Sequence, residues 1–85
     1  MPYKILFTSE ARNDVEGQSK VVRRQLYKKL SYFAALDDIK TVAKKLHNYD
    51  AGEYRLRVGN FRIIFDLDKH VIVVLRIQHR KDVYR

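Results

Sequence analysis

Apolar and polar positions alternate with period two on both sides of Gly59-Asn60, from Glu53 to Asp66, the pattern of two antiparallel strands joined by a two-residue turn. Gly-Asn is a pair that accepts the positive φ such turns need. Closing the hairpin there sets its register. Val58 faces Phe61, Leu56 faces Ile63 and Tyr54 faces Phe65, which makes one apolar face for a core. The opposite face is then fixed as well, with Arg57 directly across from Arg62 and Arg55 two residues further along the same strand.

Upstream, Tyr3, Ile5 and Phe7 alternate against Lys4 and Leu6, a short first strand. Thr8 stands where a helix N-cap belongs, Glu10 falls in the first turn, Ala11 and Val15 are four apart, and Gly17 closes a short helix. Ser19 is the cap of a longer helix running to about Leu36, with an apolar stripe of Val22, Leu26, Leu30 and Phe33 and with Lys20, Arg23, Arg24, Lys28 and Lys29 mostly off it. The two helices read as a hairpin packed on a sheet. Between Asp37 and Gly52 the pattern weakens to one or two helical turns (Ile39, Val42, Ala43, Leu46) and a loop over residues 48–52. Asp68 and Lys69 mark a second tight turn. Val71, Ile72, Val73, Val74, Leu75 and Ile77 then predict a central strand covered on both faces, interrupted by Arg76. Arg76 joins the face of Arg57 and Arg62 if that second turn holds an odd number of residues. Residues 79–85 form a tail. The chain shows no repeat and no linker, so residues 1–85 are expected to form a single domain.

Composition narrows the class. Apolar residues at 46% and charged residues at 33% are those of a globular protein. No apolar run approaches a membrane span and the N-terminus lacks a secretory pattern, so a cytoplasmic location without membrane contact is expected. With no cysteine there are neither disulfides nor thiolate metal sites, and the three histidines have no ligand spacing, so no cofactor or metal is expected. The net charge of +8 points to an anionic partner. Residues 1–52 carry ten basic side chains, seven of them Lys, whereas residues 53–85 carry eight, six of them Arg. Arg offers a planar fork matched to phosphate, which places the specific site in the second half.

Like charges opposed across a ladder destabilise it, so the gathering of Arg55, Arg57 and Arg62 is the feature that asks for an anion between them. The plain alternative is a solvated polar face. The same choice applies to Lys44 and Lys45, whose ordinary role is solvation and whose alternative role is contact with phosphate. Cleaving RNA without a metal requires cations around the phosphate, a group to take the 2′ proton and a group to protonate the leaving 5′ oxygen. The arginines answer the first need. Tyr84, a phenol whose ring can also stack on a base, and His79, an imidazole suited to proton transfer near neutrality, are candidates for the others. Each also has a packing role open to it, at the strand end for His79 and at the C-terminus for Tyr84.

The run Tyr54-Arg55-Leu56-Arg57-Val58-Gly59-Asn60-Phe61-Arg62-Ile63-Ile64-Phe65, the valine-rich strand and then Ile77-Gln78-His79-Arg80-Lys81-Asp82-Val83-Tyr84 resemble the RelE toxins of bacterial and archaeal type II toxin–antitoxin systems, within the RelE/ParE superfamily. The likeness spans the chain. The hairpin is shared across the superfamily and the His-Arg…Tyr tail is the more discriminating part. The resemblance implies an α+β fold: an N-terminal strand, a two-helix hairpin and then antiparallel strands in a twisted sheet. It implies an mRNA endoribonuclease acting in the ribosomal A site and leaving a 2′,3′-cyclic phosphate and a 5′-hydroxyl. It maps the family's basic strand positions onto Arg55 and Arg57, its phosphate clamp onto Arg62, its second arginine onto Arg80 and its C-terminal tyrosine onto Tyr84, with His79 beside them. Well-known members have lysines where this chain has Arg55 and Arg57. Because arginine is a poor proton acceptor, proton transfer falls to Tyr84 or His79, or the ribosome supplies part of the chemistry, or cleavage is slow.

A ParE-like gyrase inhibitor without RNase activity shares the hairpin and is the second reading. A basic nucleic-acid-binding module is the third. A toxin of either kind implies a RelB-like or equivalent antitoxin, and an acidic one complements the +8 charge. For the endonuclease, the other partners are mRNA and ribosomal RNA.

Overall fold

In a computed structural model of the chain, the described residues are 2–45 and 54–83, the side chains of 82 and 83 excepted. The elements are β1 (Lys4–Phe7), α1 (Ser9–Glu16), α2 (Lys20–Ala34), a 3₁₀ turn (Ile39–Thr41), β2 (Lys44–Lys45), β3 (Tyr54–Val58), β4 (Phe61–Asp68), β5 (Val71–His79) and a helical turn α3 (Arg80–Val83). The five strands form one sheet in the order β1-β5-β4-β3-β2. β1 lies parallel to β5 and the other neighbours are antiparallel, so the sheet is mixed.

The expected hairpin register holds pair for pair: Val58 with Phe61, Arg57 with Arg62, Leu56 with Ile63 and Tyr54 with Phe65. Gly59 has φ of 57° while Asn60 stays at negative φ, the combination of a II′-like turn with Gly first. A Cβ at Gly59 would meet nothing within 4 Å, so the backbone angle and not space demands glycine. On the helix side, Leu56, Val58, Ile63, Phe65, Ile72, Val74 and Ile77 form one buried cluster with Ala11 and Val15 of α1 and Leu26, Leu30 and Ala34 of α2. The helices thus cover one face of the sheet, and the arginine pair belongs to the other.

The helix caps are those read from the sequence. Thr8 accepts from the Ala11 N–H and Ser19 from the Val22 N–H. Gly17 closes α1 at φ of −75°, a right-handed conformation open to any residue. Thr8 has a second task, since its hydroxyl donates to the Leu75 carbonyl (2.9 Å) and its N–H donates to that of Val74 (3.0 Å). β1 pairs only with residues 71–74 of β5, and α1 covers the edge beyond. There the Asp14 carboxylate accepts from the Ile77 N–H (2.8 Å) and from Arg76 Nε (2.9 Å) and Nη2 (3.3 Å), with Glu10 3.6 Å from Arg76 Nη1. An exposed strand edge is thereby occupied by side chains of a helix.

β5 departs from simple alternation. The second turn consists of Lys69 and His70, one residue later than expected, with Asp68 paired to Val71. Opposite Ile64 and Phe65 the register shifts, Ile64 pairing with Arg76 and Phe65 with Val74, so that Leu75 is the extra residue of a bulge. Strict alternation from Ile72 and Val74 would have sent Arg76 into the core. The bulge puts Ile77 there instead and gives Arg76 to α1. The parity of the turn, on which the expectation for Arg76 rested, is even; the bulge, not the turn, sets its face. Nor is β5 buried on both faces: Ile72, Val74 and Ile77 are buried, while Val71, Val73 and Leu75 are half-buried.

The helical turns expected after Asp37 reduce, among the described residues, to the 3₁₀ turn, capped by Asp38 through the Lys40 N–H and tied to the residue before β1 by the Ile39 N–H donating to the Tyr3 hydroxyl. β2 had no sequence signal. The loop expected over residues 48–52, Leu46 and Tyr84 lie outside the described residues.

Two outcomes follow for stability. Asp14→Ala strands the Ile77 N–H and removes two hydrogen bonds from the Arg76 guanidinium, and should cost about 1–3 kcal/mol in urea denaturation. Lys69 sits at φ of 56° without being glycine, and Lys69→Gly should raise stability by roughly 0.5–1 kcal/mol in the same measurement.

Candidate nucleic-acid interface

On the helix-free face, transverse rows of side chains follow from the registers. One row runs Lys44, Arg55, Ile64, Arg76; the next, two residues along, runs Arg57, Arg62, Gln78. Directly opposed Cβ atoms lie about 4.5–5.5 Å apart and diagonal ones about 7–8 Å, so the cations share one patch. Arg55, Arg57 and Arg62 line a concavity of about 180 Å³ together with Lys44 and Val42. Val42, half exposed, is its apolar wall. Arg57 is exposed and Arg55 and Arg62 are half-buried, which leaves the concavity open to a chain lying across it.

The contrast with Arg76 is informative. Arg76 is engaged by two carboxylates. Among the described residues, no carboxylate pairs with Lys44, Arg55 or Arg57. Lys44, Arg55 and Arg57, gathered beside Arg62, are an arrangement suited to a phosphodiester, which fits guanidinium groups through paired N–H donors.

The other expected site residues are placed elsewhere. His79 pairs in register with Phe61, on the core side of the sheet, and its ring meets that of Phe61 edge to face at 5.0 Å. Its Nδ1 accepts from the Lys81 N–H (3.1 Å). It lines a larger groove of about 730 Å³ between α2 and the hairpin tip, with Val22, Leu26, Tyr32, Val58 and Phe61. His79 is therefore not brought together with Arg55, Arg57 and Arg62. Arg80 is exposed at the hairpin tip, where its N–H donates to the Asn60 carbonyl (2.7 Å) and its side chain lines a hollow with Asn60, His79 and Lys81. Lys44 was a secondary candidate, and Gln78, beside Arg62, was missed. Only long-range pairing puts either of them beside the arginines, and the sequence around them carries no signal for that pairing.

Comparison with known proteins places this geometry. A family model described as the ParE toxin of type II toxin–antitoxin systems, parDE, matches residues 5–84. The chain belongs to the RelE/ParE toxin superfamily. Among characterised relatives, it is 33% identical to Toxin RelG of Mycobacterium tuberculosis, covering 100% of this chain and 99% of that protein. It is 31% identical to Toxin RelE3 of Methanocaldococcus jannaschii, covering 95% and 94%. The toxin–antitoxin complex RelBE2 of Mycobacterium tuberculosis contains a chain that superposes with a TM-score of 0.74 at 27% identity, over 94% of this chain and all of that one. The model's name points to ParE and the relatives' names to RelE. Near-complete alignments at these identities are the more specific guide, and within the superfamily this protein is a type II toxin–antitoxin toxin of the RelE family.

If opposed arginines are held for a ligand, removing one has two effects. Arg57→Thr should raise stability by roughly 0.2–1 kcal/mol in urea denaturation by relieving the Arg57–Arg62 opposition. It should also weaken binding of single-stranded RNA and lower the slope of log K against log salt by about 0.7.

Proposed function

We propose that this protein is a ribosome-dependent mRNA endoribonuclease that cuts the message in the A site, leaving a 2′,3′-cyclic phosphate and a 5′-hydroxyl, and so stops translation. The observation that carries this reading is the convergence of Arg55, Arg57, Arg62 and Lys44 on one concavity of the sheet face turned away from α1 and α2. The family membership supports it.

In this reading, Arg57 and Arg62 hold the two non-bridging oxygens of the scissile phosphate, and Arg55 adds positive charge as negative charge grows in the transition state. Such charge stabilisation is commonly the largest single contribution to phosphoryl chemistry of this kind. The arginines do not move protons. Of the two side chains considered for removing the 2′ proton, His79 faces α2 and its Nδ1 is already an acceptor, so we assign the role to Tyr84. Arg80, whose backbone is pinned to Asn60 at the start of the tail, is assigned a contact with RNA beyond the scissile bond. The ribosome contributes by holding the message with its 2′-hydroxyl in line. An antitoxin of RelB type is the partner that silences the toxin, a reading supported by the likeness to a chain of the toxin–antitoxin complex RelBE2 of Mycobacterium tuberculosis.

The test is expression in cells with mapping of RNA 5′ ends. The unaltered protein should arrest growth and produce cuts at codon-defined positions in translated messages. Arg62→Ala and Tyr84→Phe should each reduce cutting by at least about 100-fold, the range for loss of an electrostatic or proton-transfer group, while melting like the parent. Intact messages with DNA double-strand breaks would instead establish gyrase inhibition.

A further inference from the structure

We infer that Lys44 is the general acid of the cleavage reaction, giving its proton to the departing 5′-oxygen. The inference rests on the nuclease reading above and deepens it. β2 is only two residues long, and its pairing decides what each lysine does. Lys44 pairs with Arg55 and lines the concavity with Arg55, Arg57 and Arg62, whereas Lys45 pairs with Tyr54, whose side chain belongs to the core face. Of two adjacent lysines, one joins the arginines and the other does not. Diagonal to Arg57, Lys44 has its Cβ about 7–8 Å from that of the arginine, and a four-carbon stem spans such a gap to the edge of a phosphate held there.

Of the four cations lining the concavity, three are guanidinium groups, which keep their protons at any physiological pH. An ammonium is the ordinary form of lysine and is the one cation here able both to attract the phosphate and to release a proton. Among the described residues no carboxylate neutralises it. The 2′-oxygen bonds to phosphorus as its proton passes to the phenolate of Tyr84, which becomes the phenol; the P–O5′ bond breaks; the electron pair left on O5′ takes a proton from Lys44 Nζ. The products are a 2′,3′-cyclic phosphate, a 5′-hydroxyl, a neutral Tyr84 phenol and a neutral Lys44 amine; through solvent the phenol gives up a proton and the amine regains one.

The experiment compares two messages on programmed ribosomes in single turnover, one ordinary and one with sulfur replacing the bridging 5′-oxygen at the scissile position. A thiolate leaves without a proton, because thiols are acidic by comparison with alcohols. Lys44→Ala and Lys44→Arg should both cut the ordinary message on the order of 100-fold more slowly, and both should match the unaltered protein on the sulfur message. Lys45→Ala should match it on both. Parental cutting of the ordinary message by Lys44→Arg would show that Lys44 supplies charge alone and would overturn the assignment. So would an equal loss on the two messages. If the unaltered protein cuts neither message, the nuclease reading fails and the assignment with it; cutting by the unaltered protein with no defect in Lys44→Arg removes only the assignment.

Discussion

Arg57 and Arg62 face one another because a two-residue turn at Gly59-Asn60 allows no other register for the residues that must be buried. A slip of β3 by one position would turn Leu56 and Val58 toward solvent and carry Arg55 and Arg57 toward the helices. The cost of burying unpaired charges runs to several kcal/mol each, whereas opposing two exposed arginines costs about 0.2–1 kcal/mol. The core therefore holds the cations where they repel one another. The site is a consequence of the fold's strongest constraint.

The bulge at Leu75 is the second constraint, and it divides the polar residues of β5. Carried through unbroken, the pairing that starts at Asp68 and Val71 would have placed Arg76 among the apolar side chains and His79 on the face of Arg62. With one residue inserted, Arg76 goes to the carboxylates of α1 and His79 to the side of Phe61. Asp14 secures the arrangement by accepting from both Arg76 and the Ile77 backbone. An irregularity of a single residue thus decides that the arginine site keeps Arg55, Arg57 and Arg62 and loses the imidazole.

What the sequence made legible is what short-range rules determine. The hairpin register, the Thr8 and Ser19 caps and the apolar stripe of α2 each follow from residues within a few positions of one another. Those rules also gave the α+β element order and the three arginines of the cleft. What stayed hidden depends on pairing between distant segments. β2 is Lys44-Lys45, with no apolar residue to mark it as a strand, and it exists because the edge of β3 is there to pair with. The parallel placement of β1 against β5 reflects where the helices return the chain, which periodicity does not encode. His79 read as a site residue on its imidazole chemistry and on the resemblance of the tail, neither of which reveals the bulge that sets its face.

The central claim is that the guanidinium groups of one sheet face act together as a phosphodiester site. Nitrogen-detected NMR of the arginine side chains, during titration with a short RNA whose 2′-hydroxyl is replaced by hydrogen at the scissile position, observes those groups themselves. The account predicts that the Nε–H signals of Arg55, Arg57 and Arg62 shift together along one saturation curve, while Arg76, held by Asp14, stays in place. Shifts confined to Arg23 and Arg24 of α2, with the sheet arginines unmoved, would contradict it.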